Sequence, residues 1–370
     1  MMNQWINKAR AVGVALALAS APVAAPEVAL ADKRGEPEHH RFELGDFPLE
    51  NGQVIENGFL TYVTHGQLNE QGNNAILVLP SLMGTHHRHD FLIGPGKALD
   101  PEKHFIIAVD TIGNGRAISP SNSESQHGIA FPQFSICDMV TAQHKLVTEG
   151  LDLERLLAVV GLSMGGMQTY QWAVQYPDTM AAIVPIVSMG RTTPWVTAIW
   201  ESLRQTIMAD AAWDGGDYVE QPEKGLRAAA AQLEVWVRHW DGLDRQFKDN
   251  GEVIGWLDAK TAETAKAWDA NDLIYQTRAE DLHDIANGGD YAAAFRKIQA
   301  RALLMPGTRD LLHPPSDARF AAKHIPKASL VEIDSDQGHM ASGVIPADIK
   351  FVNATIARFL NEVFTDLVRI

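Results

Sequence analysis

The sequence predicts an α/β protein with a mostly parallel, doubly wound sheet. Continuous apolar runs at residues 75–79, 105–109 and 156–160 are typical of strands buried on both faces of such a sheet. Helical patterns separate these runs, and strands that alternate with helices favour this architecture. The 370 residues are enough for one large α/β domain that carries an insertion.

The remaining elements of the predicted core follow in chain order. An antiparallel strand pair is expected over residues 42–66, after a loose polar leader at 32–41. A helix is expected over 132–149, a late strand over 330–333 and a closing helix over 346–363. These elements continue the alternation of strands and helices to the end of the chain.

Residues 192–297 break this alternation. The segment has helical patterns without buried-strand runs, and it holds seven of the nine tryptophans. We expect it to form a helical lid between two parts of the core, residues 32–191 and 298–370. For most of its tryptophans we expect packing in the lid's own core, and for the rest a place in an apolar pocket.

The N-terminus has the pattern of a secretory signal peptide. Lys8 and Arg10 precede an apolar run at 11–25, and an Ala-Leu-Ala cleavage site follows. We therefore assign residues 1–31 to a signal peptide and expect a periplasmic or secreted mature protein. An uncleaved membrane anchor is the alternative, but prolines interrupt the apolar run, which is also short for a membrane span.

Composition and charge exclude several classes of protein. With 46% hydrophobic and 21% charged residues the chain is an ordinary globular protein. Its formal net charge of −15 argues against nucleic acid and against an anionic membrane surface as partners. Cys137 is the single cysteine of the sequence, so no disulfide can form within the chain.

A Gly-x-Ser-x-Gly sequence centred on Ser163 follows the apolar run at 156–160 and precedes a helical pattern. A buried strand, this turn and then a helix are the context of a nucleophile elbow. Gly161 and Gly165 lack side chains, which lets strand and helix approach closely at a strained serine. We expect Ser163 to be a catalytic nucleophile; the alternative is a glycine-rich turn that happens to contain serine.

A serine nucleophile needs a base, and the base needs an acid that orients it. In folds with this elbow the chain order is serine, acid, histidine. Asp310 follows the apolar run at 302–305, and His339 lies in the loop before the last helix. We expect these two residues to complete a catalytic triad. Three other acids are weaker candidates. Asp317 lies well beyond its strand, and Asp334 and Asp336 share the loop of His339, whereas the acid is expected one strand earlier.

Two backbone amides are expected to hold an oxyanion. Met164 begins the helix after the serine, and Leu82 lies in the loop after the strand at 75–79. Just beyond lie three histidines, at positions 86, 87 and 89, which lack the spacing of a metal site on one helix face. We expect a loop at the mouth of the pocket, with no metal. The sequence has no Gly-rich phosphate loop, and we expect no cofactor.

With these residues in place, the chain resembles the homoserine O-acetyltransferase family of α/β-hydrolase-fold enzymes over about residues 43–360. The shared blocks begin at Tyr62, Leu92, Asp138, Gly161, Gly215 and Trp268. The resemblance implies an α/β-hydrolase fold, a Ser163–Asp310–His339 triad, an acyl-enzyme and a lid that often supports a homodimer. A homodimer through the lid is therefore a possible assembly.

The departures from the family pattern concern the groups that bind the amino acid. The family's aspartate for the homoserine amino group falls on Met340, and its arginine and tyrosine of the lid fall on Ala230 and Val237. Replacing a charge-assisted contact by an apolar side chain costs roughly 1.5–3 kcal/mol. These replacements, with export away from cytosolic acetyl-CoA, predict hydrolysis of an uncharged ester. The alternatives are acyl transfer to homoserine or another alcohol and, less favoured, a non-catalytic binding protein.

Overall fold

The computed structural model describes residues 37–369. The predicted signal peptide, residues 1–31, lies outside the described residues. A sheet of eight strands forms the centre of the described chain, in the order β1-β2-β4-β3-β5-β6-β7-β8. The strands are β1 (His39–Pro48), β2 (Val54–His65), β3 (Ala75–Leu79), β4 (Phe105–Val109), β5 (Leu156–Leu162), β6 (Met180–Ile186), β7 (Arg301–Leu304) and β8 (Ala328–Leu330).

Strand β2 pairs antiparallel with both β1 and β4, and the pairs from β4 to β8 are parallel. Every residue of β3 and β5 is buried, because helices cover both faces of the sheet. The α-helices are α1 (Ile136–Lys145), α2 (Met164–Gln175), α3 (Pro194–Met208), α4 (Glu223–Trp236), α5 (Trp240–Gln246), α6 (Asn250–Ala267), α7 (Ala270–Asp281), α8 (Tyr291–Arg296), α9 (Ser316–His324) and α10 (Pro346–Val368). This arrangement is the predicted α/β-hydrolase fold.

Several element boundaries differ from the expectations, and three of the differences have a clear cause in the contacts. The expected leader is in part strand, because residues 39–41 pair with residues 61–63 of β2. Helix α1 begins only at Ile136, where Ser135 and Asp138 form a capping box that satisfies its first amides. The last strand ends at Leu330, and beyond it Ile333 forms a single bridge to Gly307.

Helices α3 to α8 lie between β6 and β7, within the segment predicted as the lid. Helix α7 joins this segment to the core. Its Asp272 accepts hydrogen bonds from the Ser121 amide and hydroxyl at 2.9 and 2.6 Å, and its Tyr275 hydroxyl donates to the Ile129 carbonyl. No helix of residues 37–369 has the length and apolar character needed to cross a bilayer.

Glu280 of α7 carries a fully buried carboxyl group within the lid segment. Its Oε2 accepts a hydrogen bond from Trp200 Nε1 at 3.0 Å, whereas its Oε1 has no hydrogen-bond partner within the described chain. Burial raises the pKa of Glu280 to about 8, because a charged carboxylate is poorly solvated there. The protonated carboxyl is therefore the form that the fold favours.

The Glu280→Gln variant is expected to gain stability over the wild type as pH rises. The folded state raises the pKa of Glu280, so proton binding by this carboxyl group stabilises the fold. That contribution to the free energy of unfolding is complete below the unfolded pKa and is lost as pH rises through about 8. Glutamine stays neutral, so the difference in Tm between variant and wild type should grow from pH 5 to pH 9 in thermal unfolding. Glu263→Gln, on an exposed side chain of α6, is the matched control. A Tm difference that stays constant with pH would contradict the assignment.

Candidate active site

Ser163 stands at the turn between β5 and α2 with φ 58° and ψ −120°, a strained conformation for a residue with a side chain. The turn is enforced by close packing around it. A Cβ atom on Gly161 would overlap the Gly165 carbonyl, and one on Gly165 would overlap the Leu79 carbonyl of β3. Only glycine permits this approach, so the packing of α2 on the sheet holds the predicted nucleophile at the carboxyl edge of the strands.

The structure brings the three predicted triad residues together. His339 Nε2 lies 2.7 Å from Ser163 Oγ, and His339 Nδ1 lies 2.7 Å from Asp310 Oδ2. The exposed fractions are 6% for Ser163, 5% for His339 and 3% for Asp310. One continuous line of hydrogen bonds thus connects a buried carboxylate to a hydroxyl group, the geometry in which a histidine can accept the hydroxyl proton.

The Asp310 carboxylate is fixed by its own loop. Its Oδ1 accepts hydrogen bonds from the backbone amides of Leu312 and His313 at 2.9 and 2.8 Å. Oδ2 is thereby left for His339, which sits in a short 3-10 turn over residues 338–340. The loops after two strands therefore supply the acid and the base, and local backbone amides hold the acid.

The other acids considered from the sequence have different partners. Asp317 accepts hydrogen bonds from the Tyr291 hydroxyl at 2.7 Å and from the Gly190 amide at 3.0 Å. Asp336 forms an ion pair with Arg245 at 2.6 Å. Asp334 lies near the Thr308 hydroxyl at 3.4 Å. Among the acids considered, Asp310 is the one whose carboxylate meets His339.

His313 is a neighbour of the triad that the sequence reasoning missed. Its ring packs edge-on against the His339 ring with 4.7 Å between centroids, and its Nδ1 donates to the Val187 carbonyl at 2.9 Å. Burial, with a smaller contribution from His339, lowers the pKa of His313 to about 3. A neutral imidazole thus packs against the His339 ring at neutral pH.

The predicted oxyanion donors flank Ser163. Leu82 lines the pocket beside it, and Met164 is the first residue of α2. Within residues 37–369, neither backbone amide donates a hydrogen bond, so both are available to a ligand. Amides at the start of a helix favour a negative charge.

The loop that carries Leu82 is held from both the lid and the core. Its next residue, Met83, has φ 52° and donates its amide to Gln276 Oε1 of α7 at 2.8 Å. Gln276 Nε2 donates in turn to the Ile112 carbonyl at 3.0 Å. No pattern in the sequence indicated a role for this glutamine, which is 193 residues away from Met83. It connects the lid to the predicted oxyanion loop.

The three histidines after this loop have separate surroundings. His86 is buried and donates its amide to Asp110 Oδ1 at 2.9 Å, with its Nδ1 3.0 Å from Oδ2. His87 Nδ1 lies 3.0 Å from Asp90 Oδ2 at the surface. His89 is buried, and burial lowers its pKa to about 3. Over residues 37–369 no group of three or more metal-ligating side chains is placed to hold an ion.

A pocket of about 540 Å³ opens at Ser163 and His339. Val237 and Met340 line it, as does Trp200, whereas Ala230 is buried in the lid and does not reach the lining. The tryptophans of the lid segment have different surroundings. Trp200 and Trp268 line the pocket, whereas Trp195 and Trp240 are exposed. Four charged side chains also line the pocket, namely Arg88, Glu234, Arg238 and Lys260.

Comparison with known proteins places this geometry in a family. A family model described as alpha/beta hydrolase fold matches residues 74–344. A homoserine O-acetyltransferase of Caulobacter vibrioides is 37% identical over 336 residues, covering 79% of this chain and 87% of that protein. A probable esterase of Corynebacterium glutamicum is 34% identical over 312 residues, covering 80% and 88%.

Solved structures give the same result. An acetylester hydrolase from Corynebacterium glutamicum superposes with a TM-score of 0.83 at 30% identity, covering 88% of this chain and 96% of that one. A homoserine O-acetyltransferase from Bacillus anthracis superposes with a TM-score of 0.80 at 28% identity, covering 88% and 97%. The chain is therefore an enzyme of the α/β-hydrolase superfamily and belongs to its homoserine O-acetyltransferase-like family, which contains both acyltransferases and esterases.

Proposed function

We propose that this enzyme hydrolyses carboxylic esters through an acyl-enzyme on Ser163. The observation that carries the proposal is the hydrogen-bonded line from Asp310 through His339 to Ser163, which ends in an open pocket. A non-catalytic binding protein would have no use for a strained serine that is aligned with a histidine.

In the acylation step, Ser163 Oγ attacks the ester carbonyl carbon, and the hydroxyl proton passes to His339 Nε2. Asp310 Oδ2 accepts a hydrogen bond from His339 Nδ1–H, keeps its negative charge and stabilises the imidazolium. The Leu82 and Met164 amides donate to the oxygen that becomes negatively charged. The tetrahedral intermediate then collapses, and the alcohol leaves with the proton from His339.

In the deacylation step, a water molecule attacks the acyl carbon of the Ser163 ester while His339 Nε2 accepts its proton. The second tetrahedral intermediate uses the same two amides. When it collapses, Ser163 Oγ leaves and recovers its proton from His339, and the carboxylic acid is released. A transferase differs only in this step, where an alcohol replaces water.

The choice of water over an alcohol rests on the pocket. Met340 offers no partner to the amino group of homoserine where the family resemblance places an aspartate. Ala230 and Val237, where the resemblance places an arginine for the carboxylate and a tyrosine, are apolar as well. Relatives called homoserine O-acetyltransferases favour acyl transfer as the second candidate function. Export, which rests on residues 1–31 alone, stays a prediction and would separate the enzyme from cytosolic acetyl-CoA.

The Ser163→Ala variant of the protein from Asp32 onward is expected to lose ester hydrolysis by more than about 10³-fold in kcat. The loss follows because no other group would form the acyl-enzyme. Acid release from short-chain alkyl esters in a pH-stat measures it, with and without added homoserine. The wild type is expected to hydrolyse the esters at a rate that homoserine does not change.

Ser202→Ala, in lid helix α3, is the control for loss of a serine hydroxyl. If wild-type hydrolysis were negligible and homoserine restored turnover as O-acylated product, acyl transfer would replace hydrolysis as the function. If Ser163→Ala retained the wild-type rate, the proposed nucleophile would be wrong.

The Gln276→Leu variant is expected to lower kcat by about tenfold or more with a smaller change in KM. The change removes the hydrogen bond that holds the Met83 amide, so the neighbouring Leu82 amide is no longer held where the oxyanion forms. Steady-state kinetics on a short-chain acetate ester measure the effect. Gln232→Leu, which removes lid hydrogen bonds to residues 202 and 206, should leave kcat unchanged. A lower Tm with unchanged kcat would assign Gln276 a structural role only.

A further inference from the structure

The charged side chains of the pocket are not equivalent. Arg238 forms an ion pair with Glu234 and lies over the Trp256 ring, 4.7 Å from its centroid. Lys260 lies 3.6 Å from Glu263 and is 43% exposed. These three pocket-lining charges are thus neutralised by a neighbour or by solvent.

Arg88 has no such partner. Its Nε donates to Ser81 Oγ at 3.0 Å, and within residues 37–369 no carboxylate lies within 4.0 Å of its guanidinium. The side chain is half-buried in a protein with 46 acidic and 31 basic residues, so acids are not scarce. Burial lowers the pKa of Arg88 to about 10, and the guanidinium remains charged at neutral pH. A partly desolvated positive charge without a counter-ion is therefore present in the pocket that contains the predicted nucleophile.

The geometry of Arg88 suits recognition of a planar anion. With Nε committed to Ser81, the two terminal nitrogens remain for a fork-like contact, which matches a carboxylate. Ser81 directly precedes Leu82, so the guanidinium is fixed to the same loop as a predicted oxyanion donor. A substrate carboxylate held there would be positioned relative to the reacting carbonyl group.

We propose that Arg88 binds a carboxylate of the substrate, so that the enzyme acts on esters that carry a negative charge. This inference rests on the proposed ester hydrolysis at Ser163. It replaces the sequence-based expectation of an uncharged ester, because the positive group lies on the oxyanion loop and not at the lid position of Ala230. Met340 offers no acceptor to a positive amino group where the family resemblance places one, so the proposed substrate class is anionic and not zwitterionic.

The carboxylate could belong to either half of the ester. On the acyl side the substrate would be a half-ester of a dicarboxylic acid, and on the alcohol side an acylated hydroxy acid. Matched pairs separate the two, because an isopropyl group has nearly the shape of a carboxylate. Monomethyl succinate is compared with methyl isocaproate for the acyl side, and β-acetoxypropanoate with isopentyl acetate for the alcohol side.

The test measures kcat/KM for both pairs with the wild type, Arg88→Met and Arg88→Lys. For one pair, the wild type is expected to prefer the anionic ester. Arg88→Met should lower kcat/KM for that ester by about tenfold or more, as expected for loss of a charge-assisted contact, with little change for its neutral partner. Arg88→Lys, which keeps the charge without the fork, should restore part of the preference.

Lys260→Met is the matched control, since it removes an equal charge from the pocket rim. A similar loss of preference in this variant would mean that long-range attraction, and not Arg88, selects the anion. Equal loss on neutral and anionic esters in Arg88→Met would overturn the proposal in favour of a role in holding Ser81. Failure of the hydrolysis proposal is distinguishable, because no ester of either pair would then show turnover that depends on Ser163.

Discussion

The close contact of helix α2 with strands β3 and β5 is the constraint on which the site depends. Gly161 and Gly165 let the helix start directly against the Leu79 carbonyl, and Ser163 takes its positive φ as a consequence. The strain is tolerated because the surrounding backbone is held by sheet hydrogen bonds; the Ser163 amide, for example, donates to the Ile186 carbonyl. The same contact leaves the Met164 amide free at the helix start, beside the hydroxyl group.

The loop that carries Leu82, unlike the loop that fixes Asp310, depends on long-range contacts. The Leu82 loop has one turn hydrogen bond of its own, from the Gly84 amide to the Ser81 carbonyl at 2.8 Å. Asn114 Nδ2 donates to the Gly84 carbonyl of this loop at 3.0 Å and to Asp110 Oδ1 at 3.2 Å. Gln276 of the lid accepts a hydrogen bond from the Met83 amide of the same loop. Movement of helix α7 would therefore change the position of a predicted oxyanion donor, so the lid can influence the chemistry without touching the substrate.

The sequence was sufficient for Ser163, Asp310 and His339, because parallel strands bring the loops at their carboxyl ends to one edge in a fixed order. It was insufficient for Gln276 and His313, whose roles arise from contacts with residues more than a hundred positions away or on another loop. Strand ends were also missed. Pairing with β2 draws residues 39–41 into the sheet, although their polar side chains read as a leader.

Arg88 shows why substrate charge was the least predictable property. A sequence shows how many charged residues a chain has, but not which of them form ion pairs. In this pocket Arg238 pairs with Glu234 and Lys260 lies near Glu263, which leaves Arg88 as the lining cation without an acidic neighbour among residues 37–369. The apolar residues at the lid positions predicted a neutral substrate on the assumption that any positive group for a substrate carboxylate would lie in the lid. Arg88 lies on the core side of the pocket and is bonded to Ser81 of the predicted oxyanion loop, so the charge that we propose for substrate binding comes from a part of the chain that the lid substitutions do not report on.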